Sequence, residues 1–147
     1  MNTELLELAE ELAIKTPEKQ ATLKRSVSTA YYAVFHTICK TIANQIGPDT
    51  SGEYYKNVYR LLNHSDFSKL EKPNVPNNIK IIGSAIINLK EKRHVADYYP
   101  ENYTFTKKDV IDIINSAKAT IKEINDLTNE DKQIIVITLF VSGKPRP

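Results

Sequence analysis

Charge stands where core is due in the segment that ends at Tyr98. Ile82, Ile86 and Leu89 step along one helical face at intervals of four and three, and the next steps fall on Arg93 and Asp97. A guanidinium is a permanently charged, planar fork, and a carboxylate four residues on can fix its orientation, so the pair is equipped to grip phosphate. Arg93 and Asp97 are therefore catalytic candidates and Tyr98, directly after them, a substrate-binding one, with His94 pointing away from the stripe. The competing reading is a brace at the end of a helical bundle, since i, i+4 ion pairs are common and stabilise little when exposed.

A second polar sector joins Arg25, Ser28, Thr29, Tyr32 and His36, opposite the face of Val27, Ala30 and Val34. It offers donors, an aromatic ring and a titratable group, which makes His36 an acid/base candidate and Tyr32 and Arg25 substrate contacts. An ordinary solvated face explains the same pattern. Tyr32 and His36 are nonetheless flanked by Phe35 and Cys39, an apolar setting that calls for cover by another helix or a second subunit. Arg60 and His64 form a third pair, opposite Tyr55, Val58 and Leu62: a charge clamp with a general base, or two solvent-facing side chains.

Other chemistries lack their residues. There is no glycine-rich phosphate loop, no G-x-S-x-G elbow and no His-Glu-x-x-His, so no cofactor is expected. The single Cys39 excludes an intramolecular disulfide and a multi-cysteine zinc site, and His36, His64 and His94 lack ligand neighbours at helical spacing, so no metal is expected either. With 20 Lys and Arg against 18 Asp and Glu in 147 residues, the chain is nearly neutral, and any contact with nucleic acid must come from a local site. The acidic amphipathic start, Asn2 to Ile14, is unlike a signal peptide, and the longest apolar run, Ile134 to Val141, is too short to span a bilayer; a cytoplasmic protein with no membrane contact is expected.

These side chains need long helices to place them. Four Gly and seven Pro are too few turn residues for a many-stranded fold, so the chain reads as all-α, with residues 1–143 as one domain and 144–147 as a disordered tail. A first helix is expected over 4–14. The longest should start from a Thr16 cap with Pro17 at its first position, run along Leu23, Val27, Ala30, Tyr31, Val34 and Ile38, and end at a left-handed Gly47. A short helix follows over Tyr54 to His64, and Ser65 to Asn77 is a loop, functional or a packed crossover. A fourth helix runs from Pro76 to about Tyr98, and a fifth starts from a Thr106–Asp109 capping box. Residues 134–141 are rich in β-branched side chains but have no partner strand, so they read as a helix ending at Gly143.

The segments Leu23-Lys-Arg-Ser-Val-Ser-Thr-Ala-Tyr-Tyr-Ala-Val-Phe-His36, Tyr59-Arg-Leu-Leu-Asn-His64, Arg93-His-Val-Ala-Asp-Tyr98 and Phe105-Thr106 resemble, in order and spacing, the HEPN superfamily, in particular its bacterial members with an S-x-A-Y-Y-A-x-F-H helix and an A-D-Y motif. The resemblance covers roughly residues 20 to 127. It implies an up-and-down four-helix bundle with short additional helices, a homodimer, and a place among metal-independent RNases of toxin–antitoxin and phage-defence systems, with RNA or a nucleotide as ligand and a nucleotidyltransferase-like antitoxin as partner. Active members carry an Arg followed by a His after four to six residues. Here that window after Arg93 holds Tyr98, Tyr99 and Pro100, and Arg60 is separated from His64 by three residues. The resemblance accordingly implies either an RNase-like protein or a non-catalytic module that binds a nucleotide, RNA or a protein.

Overall fold

A computed structural model describes residues 2–15, 19–48, 51–98 and 103–141. Among them the chain forms six α-helices and no strand: α1 (Asn2–Lys15), α2 (Gln20–Ile46), α3 (Glu53–Asn63), α4 (Asn77–Tyr98), α5 (Lys107–Asn125) and α6 (Asn129–Phe140). A short 3-10 helix, Phe67–Glu71, lies between α3 and α4. No helix of the described residues is long and apolar enough to cross a membrane.

The spine is α2, which packs against α1, α3, α4, α5 and α6. Its expected stripe from Leu23 to Ile38 is buried, and so are Ala33, Phe35 and Cys39 outside that stripe. A helix enclosed in this way must satisfy its polar groups internally. The Ser26 hydroxyl donates to the Ala9 carbonyl of α1 at 2.6 Å, and Thr37 donates to its own helix at Ala33, 2.7 Å away. The start of α2 differs from the sequence expectation: it begins at Gln20, with an extended Lys19 that makes no side-chain cap, while Thr16 and Pro17 lie outside the described residues. In its place the Gln20 amide clasps the backbone of Phe105, donating to its carbonyl and accepting from its N–H, both at 2.8 Å. Gly47 has φ +142° and ψ −175°, a conformation suited to glycine but extended, not the left-handed helical cap that was expected.

The segment 65–77 is a packed crossover. Asp66 accepts from the Ser68 N–H at 3.0 Å and from its hydroxyl at 2.5 Å, opening the 3-10 turn, and Phe67 and Leu70 are buried. Gly83 of α4 makes this docking fit: a Cβ there would stand 2.7 Å from the Leu70 Cβ. The Thr106–Asp109 capping box is present. A second box, Thr128 with Asp131, starts α6, and the Asn78 amide donates to the same Asp131 at 3.1 Å. Residues 129–140 are helical as expected, with Ile135 and Leu139 buried, and the helix ends at Phe140; Gly143 and the expected tail lie outside the described residues.

Candidate functional site

The broken stripe of α4 delivers Arg93 onto the aromatic face of α2. Its Cζ lies 5.2 Å from the Tyr31 ring centroid and 5.9 Å from that of Tyr32, and only 17% of the side chain is exposed. Tyr31 and Tyr32 meet edge to face at 5.3 Å, so the guanidinium rests on a paired ring surface and gains cation–π attraction. Nη1 reaches Asp97 Oδ2 at 3.5 Å, the long limit of a hydrogen bond. The other Asp97 oxygen accepts from Ser28 Oγ at 2.5 Å, which ties the end of α4 to α2. Nε of Arg93 is buried without a hydrogen-bond partner among the described residues. Burial pushes the Tyr31 hydroxyl up to about 12, against the lowering effect of Arg93, so the ring faces the cation as a neutral phenol.

One turn further along α2, His36 continues the same ring surface. It is half-buried, with its centroid 6.1 Å from Tyr32 and 6.1 and 6.0 Å from Tyr55 and Tyr59 of α3. Nδ1 shares a hydrogen bond with the Tyr55 hydroxyl. Burial lowers the imidazole below its ordinary 6.5 and raises the Tyr55 phenol to about 12, so both partners are neutral near pH 7. The cover that Tyr32 and His36 called for comes from within the chain, from α3 and from Arg93.

On another side of Arg93 a cavity of about 630 Å³ opens between the 3-10 helix and α4. Phe67, Ile87 and Val95 give it an apolar lining, and Lys90, Glu91, Arg93 and His94 of α4 line it as well, so one carboxylate stands among the cations. Lys90, Arg93 and His94 fall at i, i+3 and i+4, neighbours on one helical face. His94 thus shares a cavity with Arg93, contrary to the expectation that it points away, and its ring lies 4.8 Å from that of Tyr98.

Of the candidates from sequence, Arg93, Asp97, Tyr32 and His36 join in one chain of contacts. Asp97 and Tyr98 do not line this cavity; Tyr98 is exposed and meets it through the His94 ring. Arg25, Arg60 and His64 are exposed and have no polar side-chain partner among the described residues. Sequence reasoning missed Tyr31, placed in the core by its spacing, and Tyr55 and Tyr59 of α3. It also missed Phe67, for which a lone aromatic in a polar loop was the available signal. No group of three His, Cys, Asp or Glu among the described residues could hold a metal ion. Comparison of the chain with protein-family models, curated proteins and solved structures returns no significant match.

Proposed function

We propose that the chain is an HEPN-like four-helix bundle with short additional helices that binds RNA or a nucleotide, with Arg93 as its phosphate ligand. The observation that carries this reading is the state of the Arg93 fork. Two ring faces and a carboxylate hold it in one place, with Nη1 on Asp97 and the buried Nε without a hydrogen-bond partner among the described residues. A pre-organised cation loses little side-chain entropy when an anion arrives, and an unsatisfied buried N–H favours any acceptor that a small rotation of the fork can offer it. Lys90 on the same cavity adds a second positive charge.

A catalytic reading rests on one observation, His94 beside Arg93 on the same cavity: a group able to move protons next to a phosphate ligand is the minimum equipment of a metal-independent endoribonuclease. His36 fits that role less well, because Nδ1 is engaged by Tyr55, and His64 stands exposed on the end of α3. Binding is therefore the primary reading and turnover the second. The same proposal carries a homodimer, checked by light scattering, and a nucleotidyltransferase-like antitoxin partner.

Fluorescence anisotropy with a labelled single-stranded RNA in EDTA, followed by a denaturing gel, separates the two. Wild-type protein is expected to bind, and Arg93→Ala to weaken binding at least about tenfold, the loss of one charge-assisted contact. Intact RNA on the gel supports a module. Cleavage that Arg93→Ala and His94→Ala both abolish supports an RNase. Absence of binding by the wild type overturns the proposal.

A further inference from the structure

We infer that the cavity between the 3-10 helix and α4 is a pocket for one unstacked nucleobase, whose attached phosphate lies on Arg93 and Lys90. The inference rests on the reading of Arg93 as a phosphate ligand and adds what the neighbouring space selects. At about 630 Å³ the cavity falls within the range of small-molecule sites, large enough for one nucleotide and too small for a base pair with its backbones. Its apolar lining by Phe67, Ile87 and Val95 suits a flat ring and has no use for a bare phosphate. The cationic groups stand on the same helix one turn away, so a ligand that fills the space joins an apolar ring to an anion within a few ångströms. A nucleotide has that form.

The opposite wall makes the choice sharper. Ser65, Asp66 and Ser68 line the cavity too, and Asp66 Oδ1 is fixed by two bonds from Ser68. A carboxylate held in that way is an acceptor for an exocyclic amine, which adenine, cytosine and guanine carry and uracil lacks. An acyl chain with an anionic head would match the apolar lining and the cations but offer no donor to the Asp66 carboxylate. A base inside a duplex cannot enter, so the pocket selects single strands or extruded nucleotides.

The test is calorimetric titration of the full chain with AMP, CMP, UMP and ribose 5-phosphate, which carries the phosphate without a base. AMP and CMP are expected to bind at least about tenfold tighter than ribose 5-phosphate, with UMP between them. Ile87→Trp fills the cavity from a half-buried helix position and leaves Arg93 in place; it should reduce AMP to the level of ribose 5-phosphate. If circular dichroism shows that this variant is unfolded, Val95→Trp takes its place. Equal binding of AMP and ribose 5-phosphate by the wild type overturns the base pocket. RNA binding that still depends on Arg93 would then leave the phosphate reading standing, whereas loss of both removes the phosphate reading as well.

Discussion

Arg93 owes its position to ring faces at least as much as to its carboxylate. Asp97 is more than one-third exposed as a residue and keeps its bond from Ser28, so removal of Arg93 leaves no buried charge stranded. The loss is then two cation–π contacts and one long ion pair, and Arg93→Ala is expected to cost about 1–2 kcal/mol, a drop of a few degrees in thermal melting. A fall of twice that size would mark Arg93 as chiefly a brace. His36 supplies a pH signature. Its folded pKa lies below the ordinary value, so the unfolded chain binds more protons as pH drops below about 6.5, and stability declines as the pH falls further. Chemical denaturation at a series of pH values should show this slope, and His36→Gln should flatten it. The held-down carboxyls of Asp66 and Asp109 act only below about pH 4, where their protonation removes stability. At this scale the sequence was legible where it broke its own period: Arg93 and Asp97 stand out because Leu89 precedes them. Tyr31 does not, because an aromatic at core spacing looks the same whether its face meets a leucine or a cation. Only the placement of α4 decides which.

The 3-10 helix is the element that makes the cavity, and it is held through Gly83. The atom a new methyl would strike is the Leu70 Cβ, which cannot swing aside as the tip of a long side chain could. Overpacking of this kind costs about 1–3 kcal/mol, and the better helix propensity of alanine returns about 1 kcal/mol. Gly83→Ala is therefore expected to destabilise on balance in urea denaturation and to weaken nucleotide binding through displacement of Phe67. Increased stability would show that the two elements separate freely. This element was invisible beforehand because Phe67 and Leu70 span a single turn, too short for any period to declare itself. The long helices were visible for the opposite reason, each repeating its pattern over several turns.

For the molecule as a whole, the sequence placed six helical segments in order and recognised that part of the polar face of α2 had to be covered, but it could not say by what. The structure answers with α3, whose tyrosines close over His36. The consequence of enclosing α2 on so many sides concerns time. Amides in the middle of α2, around Ala30 to Ile38, cannot meet solvent until the surrounding helices part, so they should exchange their hydrogens only through global unfolding, while those of α1 exchange sooner by local fraying. Hydrogen exchange followed by mass spectrometry reads this directly, and equal rates in α1 and mid-α2 would refute it. Because Tyr31 and Tyr32 sit on that slowest segment and carry Arg93, the guanidinium platform is as long-lived as the native state itself, and it should be among the last local structures lost as the chain begins to open.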